Sequence, residues 1–233
     1  IVLSGPTNNS IVMNLYSATQ AGNVTVSYGI VSGVYTQTTL ASALVADAPL
    51  TLTLSGLSAD TQYFYRVNLL SGSTVVAQTE EYKFRTARPK GSTFTFTIQS
   101  DSHLDHLSDP DLFRRTLRNI ALDSPDFLID LGDTFMTEKW ATALDTVNTS
   151  SPFNPATTEA QVIARYKYEL PYYGLATHSV PMLMVNGNHE GEAGYIANKT
   201  KTSTNAPPYT LPLWATKARK NYFNNGITSA STF

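Results

Sequence analysis

Three short clusters in this 233-residue chain carry side chains able to hold metal ions: Asp101-x-His103, Gly132-Asp133 and Gly187-Asn188-His189-Glu190. Carboxylate, imidazole and amide-oxygen donors suit Zn, Fe or Mn rather than soft copper sites. One carboxylate placed between two such clusters, as Asp133 is, can bridge two cations ~3.5–4 Å apart, the separation used in hydrolytic two-metal centres. Glycine before Asp133 and before Asn188 removes Cβ bulk where the backbone must turn sharply. Taken singly, Asp-x-His and Gly-Asp are common turn sequences. Their weight comes from their order and from what precedes each of them.

Each cluster follows a segment that reads as a buried strand: residues 93–99, 126–131 and 180–185. Between the first two, Asp109-Pro110-Asp111 supplies an N-cap with proline in the first turn. Phe113, Leu117, Ile120 and Ala121 follow at helical spacing, Arg114, Arg115 and Arg118 lie off that stripe, and Pro125 ends the helix. A second helix is expected to start near Asn154-Pro155 and to carry Val162, Ile163, Tyr166 and Leu170 inward. Strand, helix, strand, helix, strand is the grammar of an α/β layered domain, in which sites assemble beyond the carboxyl ends of the strands.

Residues 1–86 follow a different grammar. Segments 10–18, 23–30 and 49–57 alternate apolar and polar side chains, and 62–70 and 79–86 are rich in aromatic and β-branched residues. Turn residues punctuate them at Gly22-Asn23, Ser32-Gly33, Ala59-Asp60 and Ser71-Gly72-Ser73. Five to seven short antiparallel strands in this length suggest a β-sandwich. The stretch from Leu57 through Tyr63 to Val67 resembles the corner between strands E and F of fibronectin type III domains. There a tyrosine, here Tyr63, bonds back to upstream backbone. The run 85–92, with Pro89, Gly91 and local positive charge, marks the expected boundary, giving domains at 1–88 and 93–233.

The three clusters together resemble the calcineurin-like metallophosphoesterase superfamily, whose motif order is Asp-x-His, Gly-Asp, Gly-Asn-His-Asp/Glu, then a later His and a Gly-His-x-His. The resemblance covers about residues 93–233. It implies the front part of a four-layer α/β/β/α domain, two divalent or trivalent metal ions (Fe, Zn or Mn), and hydrolysis of a small phosphate ester by a hydroxide held between them. It further implies that Asp101 and His103 bind the first metal, that Asp133 bridges, and that Asn188 binds the second. His189 would be the non-ligand histidine that assists the leaving group, with Glu190 orienting its ring. A sandwich followed by such a domain is similar to the purple acid phosphatases and related secreted phosphatases.

The departures carry information too. Met136 stands where purple acid phosphatases place a metal-binding tyrosine, and His103 stands where they have glycine. The Asp-Arg-Gly that protein Ser/Thr phosphatases carry after the bridging aspartate is absent. No histidine follows His189, so the later His motifs are expected in a C-terminal remainder of the same polypeptide, and the chain alone is expected to be inactive. A phosphodiesterase or nucleotidase of the same superfamily, or a non-catalytic surface module with a degenerate phosphatase domain, are the competing readings.

Composition bounds these choices. The net charge is −2 with charged residues at 15%, which argues against a nucleic-acid or anionic-membrane surface. No apolar run is long enough to span a bilayer. The absence of cysteine excludes disulfides, thiolate metal sites and a cysteine nucleophile. A start without methionine and Asn-x-Ser/Thr triplets at Asn8, Asn23, Asn148 and Asn198 lean towards a secreted, periplasmic or extracellular protein. Among the remaining polar and aromatic residues, His106 is expected in a solvated loop and His178 either at a helix end, where a cation suits the dipole, or in the core. Asp105 and Asp109 are expected to shape the loop after the first cluster, and Tyr172, Tyr173 and Trp140 to pack.

Overall fold

The computed structural model describes residues 1–104, 108–135, 156, 158–190 and 210–226. The expectations for Asp105, His106, Met136, Trp140, Asn148, Asn198 and the Asn154-Pro155 helix start lie outside the described residues.

Nine strands precede residue 86: β1 (Val2–Ser4), β2 (Ser10–Leu15), β3 (Gly22–Gly29), β4 (Gln37–Thr38), β5 (Ser42–Leu44), β6 (Leu50–Ser55), β7 (Gln62–Ser71), β8 (Thr74–Gln78) and β9 (Tyr82–Arg85). All their pairings are antiparallel, in one sheet ordered β1-β2-β6 and another ordered β4-β3-β7-β8, with β5 also on β3 and β9 on β7. This is the strand arrangement of a fibronectin type III sandwich. Its core holds Leu3, Ile11, Met13, Val24, Val26, Leu54, Tyr65 and Phe84. The Tyr63 hydroxyl accepts the Ser58 N–H at 2.9 Å, fixing the expected tyrosine corner.

The strand count exceeds the expected five to seven. The segment 79–86, expected as one strand, forms β9 over Tyr82–Arg85, and β8, which precedes it, was not expected; β8 and β9 pair with different parts of β7, and a register shift falls at Leu69/Leu70. In the turn between them Glu81 leaves the ladder and its carboxylate accepts the Gly33 N–H at 2.7 Å and the Tyr35 hydroxyl. The short β4 and β5 contain too few residues to show a period of two.

Beyond residue 86 the chain forms β10 (Phe96–Gln99), α1 (Pro110–Asp123), β11 (Phe127–Asp130), α2 (Glu159–Thr177), β12 (Met182–Met184) and α3 (Thr210–Tyr222). The Asp109 carboxylate caps α1 by accepting the N–H groups of Asp111 and Leu112, as expected. Phe113, Leu117 and Ile120 are buried along it, each contributing about 1.5–3 kcal/mol by leaving water. Helix α2 begins at a capping box: Thr158 Oγ1 accepts the Gln161 N–H while the Gln161 side chain accepts the Thr158 N–H. No helix was foreseen over α3. Its Leu211, Ala215, Ala218 and Tyr222 face the core at helical spacing, but two alanines make a faint stripe.

Strands β10, β11 and β12 form a parallel sheet in that order. Sequential order with right-handed crossovers places α1 and α2 on the same face. That face carries Leu128, Asp130, Met182 and Met184, all buried. The opposite face carries Phe96 beside Phe127, and Ile98 beside Ile129 and Leu183, with Phe96 and Ile98 about half exposed. Parallel sheets bury both faces, and in a four-layer α/β/β/α arrangement a second sheet covers this one.

The sandwich and the α/β part share contacts. Val2 of β1 belongs to the core around α2. The Tyr65 hydroxyl donates to the His178 carbonyl at 2.6 Å, Asn14 Nδ2 donates to the Asn221 carbonyl at 2.7 Å, and Lys167 Nζ pairs with Asp47 at 2.7 Å. His178 caps the end of α2 as expected, but its ring stacks on Tyr82 at 4.2 Å. Burial there pushes the imidazole pKa down, so the residue both ends the helix and packs, which joins the two expected placements.

Candidate metal centre

The three clusters lie side by side because the parallel ladder continues past the strand ends. Leu131 N–H donates to the Gln99 carbonyl, Val185 N–H to the Asp130 carbonyl and Asp101 N–H to the Gly132 carbonyl, each at 2.9–3.0 Å. The first loop then follows the second: His103 N–H donates to the Asp133 carbonyl at 3.1 Å and Leu104 N–H to the Thr134 carbonyl at 2.6 Å. Asp101, His103 and Asp133 all have positive φ, at 58°, 41° and 55°. Left-handed backbone at non-glycine residues costs about 1 kcal/mol or more each and gathers at functional sites. These loops carry their donor residues at the expense of local backbone comfort.

Glycine closes the second loop against the third. Gly132 has φ +87°, and a Cβ there would sit 2.0 Å from the Gly187 nitrogen. A Cβ on Gly187 would sit 2.3 Å from Asp133 Oδ1. The expectation that glycine serves a sharp turn holds for Gly132. For Gly187 the reason is different: it leaves room for the Asp133 carboxylate.

The result is a compact donor set. One ligand atom from each of His103, Asp133 and His189 lies within 4.8 Å of the others. His103 Nε2 is 3.6 Å from Asp101 Oδ1 and 4.0 Å from Asp133 Oδ2. Both distances are too long for hydrogen bonds. His103 Nε2 is buried and has no hydrogen-bond partner among the described residues. Two donors bound at ~2.0–2.2 Å to one ion lie within about 4.4 Å of each other, so a nitrogen and two carboxylate oxygens at this spacing fit a metal ion. The His103 and His189 rings meet edge-on at 5.1 Å. Asp133 uses its other oxygen, Oδ1, to accept the His189 N–H at 2.7 Å. Asn188 is exposed on the loop between Gly187 and His189, and Asp101 is the most open of the acidic donors, with a side chain 63% exposed.

Glu190 bonds to the backbone of both neighbouring loops. Its carboxylate is buried and accepts backbone N–H groups from Asp133 at 2.8 Å, from Gly187 at 2.6 Å, and from Thr134 and Phe135. It ties the second and third loops together.

Behind the loops stand polar groups that the sequence reading passed over. Asp130 is buried, its Oδ1 accepting the Gly132 N–H at 2.9 Å and its Oδ2 accepting Gln99 Nε2 at 2.7 Å and the Tyr173 hydroxyl at 2.6 Å. Tyr173 thus packs, as expected, and also bonds. Glu169 of α2 is buried, and its Oε2 accepts the Thr134 hydroxyl at 3.0 Å. Both residues sit at buried parity in apolar patterns: Asp130 two positions after Leu128, and Glu169 in the stripe Val162, Tyr166, Glu169, Tyr173. A lone acid in a buried stripe was the available signal. The arginines of α1 are surface residues; Arg114 pairs with Asp111 and lies over the Tyr172 ring at 4.7 Å.

Burial pushes the Glu169 carboxyl well above its ordinary 4.5 and raises Asp130 above 3.8. The folded state therefore keeps protons that the unfolded chain releases, and stability falls as pH rises from those ordinary values through the folded ones. In metal-free protein the thermal midpoint is expected to drop across the pH range above the ordinary carboxylate values, more steeply than in Glu169→Gln, which removes one of the protons involved. Calorimetric melting across that range reads the slope, and parallel slopes would refute the account.

No protein-family model matches the chain, and comparison with curated proteins gives no match. Among solved structures, the fold matches PhoD with a TM-score of 0.64 and 16% identity, over 100% of this chain and 46% of that one. It also matches the purple acid phosphatase PPD1 from yellow lupin (Lupinus luteus) seeds, with a TM-score of 0.63 and 15% identity, over 99% of this chain and 40% of that one. The chain thus spans less than half the length of either structure and shares the fold of their front part. Among the described residues no helix is long and apolar enough to cross a membrane.

Proposed function

We propose that the protein hydrolyses phosphate esters as a two-metal phosphoesterase of the phosphomonoesterase type, built as a sandwich (1–88) followed by a catalytic domain beginning at 93. The observation that carries this reading is the convergence of Asp101, His103, Asp133 and His189 beyond the carboxyl ends of three parallel strands, around a buried imidazole nitrogen with no hydrogen-bond partner among the described residues. The shared fold with PhoD and a purple acid phosphatase supports it.

Asp101 and His103 would hold one ion, Asp133 would be shared, and Asn188 would serve the second. Fe, Zn or Mn bound there would act as Lewis acids on the phosphoryl oxygens and make water nucleophilic near neutral pH. Asp133, fixed through Oδ1 by the His189 N–H, keeps Oδ2 turned towards His103. His189, on the open side of the site, would hold a proton for the departing ester oxygen. The strained loops are held before substrate arrives, so little reorganisation is left for the reacting complex. Export from the cell accords with the sequence triplets.

The competing reading, a non-catalytic module, draws on the lack of histidine after His189. Metal analysis of the full-length protein by mass spectrometry, with turnover of a chromogenic phosphate monoester and diester, separates the two. Metal near two per chain with monoester hydrolysis supports the proposal. Full-length protein that takes up no metal and turns over neither ester refutes it, and a diester preference moves the assignment to phosphodiesterase.

A further inference from the structure

The geometry points to Glu169, acting through Thr134, as a positioning residue that sets the metal affinity of the site from helix α2. This rests on the metal reading above. Thr134 directly follows Asp133 and is itself 1% exposed. Each of its polar groups is used. Its N–H donates to Glu190, its carbonyl accepts the Leu104 N–H at 2.6 Å, and its hydroxyl donates to Glu169 Oε2 at 3.0 Å. The first of these bonds ties it to the cluster that carries His189. The second ties it to the loop that carries His103. The third anchors the junction to a helix, and so to the core.

Helices are stiffer supports than loops, and a site is as accurate as the elements behind it. Around this anchor the packing is tight: the Phe135 ring meets Tyr166 of α2 edge-on at 5.0 Å, and the Arg165 guanidinium lies 5.8 Å from the Phe135 ring centre. Burying a carboxyl group at this depth is costly, and Leu would fill the position without that cost. What Leu cannot supply is an acceptor for the Thr134 hydroxyl. Removing outer groups that orient metal ligands typically weakens metal affinity by about 10–100-fold.

The test is titration of metal-free full-length protein with Co²⁺ by calorimetry, with circular-dichroism melting as a separate measure of folding. Glu169→Leu is expected to weaken Co²⁺ binding by about 10–100-fold, while Glu169→Gln, which keeps an acceptor in place, stays within about threefold of the starting protein. Thr134→Val removes the hydroxyl at nearly constant volume and is expected to match Glu169→Leu. The double variant should then lose little more than either single one, because both break the same link. A Glu169→Leu or Thr134→Val protein that melts lower but binds Co²⁺ unchanged would overturn the positioning role. So would Glu169→Gln as damaging as Glu169→Leu. Should Glu169→Leu not fold, Thr134→Val decides. Starting protein that binds no Co²⁺ would instead overturn the metal reading beneath both.

Discussion

Gly187→Ala is expected to destabilise the protein by about 3 kcal/mol or more and to abolish metal uptake, because no nearby group can yield to the new methyl. The added Cβ would lie 2.5 Å from the Asp133 nitrogen and 2.7 Å from its Cγ, as well as 2.3 Å from Oδ1. Backbone cannot rotate away as a side-chain tip can. The Asp133 N–H is engaged by Glu190, and Oδ1 by the His189 N–H. Relief therefore requires the second and third loops to part, which separates Asp133 from His189. Gly174→Ala is the matched control: that glycine lies inside α2 with open space where its Cβ would go, and alanine there should stabilise by about 0.5–1 kcal/mol. Urea unfolding of both variants reads the difference. A Gly187→Ala protein as stable as the parent, and equally able to bind metal, would show that the close approach of the two loops is not needed.

That close approach was only partly legible in the sequence. The alternation of 49–57 and the Tyr63 corner announce a sandwich because strand period and turn chemistry are local properties. The three parallel strands and the Asp109 cap are local as well, although β10 is less buried than its apolar pattern suggests. Asp101, His103, Asp133 and His189 could be named as candidates because each lies just beyond a strand, and parallel strands deliver their ends to one edge. What escaped depends on long-range packing. Glu190 reaches 55 to 57 positions back along the chain to the N–H groups of Asp133, Thr134 and Phe135. Its reach is set by how far the third loop folds over the second, which no local pattern encodes. Glu169 and Asp130 escaped for the opposite reason: a helix or strand pattern is read by its apolar positions, and a buried acid registers as a gap. Helix α3 escaped because alanine at Ala215 and Ala218 buries well but signals weakly.

Asp133→Asn should leave the fold standing and take the chemistry away. The amide oxygen can replace Oδ1 as acceptor for the His189 N–H, so the link between the second and third loops survives and melting should change little. The other end of the side chain faces His103 Nε2 across 4.0 Å. There the variant places an NH2 donor where a charged oxygen stood. A donor cannot ligate a cation, and the loss of one negative charge removes the strongest attraction the site offers to a divalent ion. If Asp133 is shared between two ions, both are weakened together. Several kcal/mol of transition-state stabilisation are then lost, which corresponds to a fall in phosphate-ester turnover on the order of 10³-fold, with bound metal well below the parent's content. His189→Ala serves as contrast. A proton donor contributes about 10²–10⁴-fold in rate without being needed for metal retention, so that variant should lose turnover and keep its metal. Metal content and hydrolysis measured side by side distinguish the two parts. Retained metal and turnover in Asp133→Asn would remove Asp133 from the site, and metal lost together with turnover in His189→Ala would make His189 a ligand instead of the proton donor.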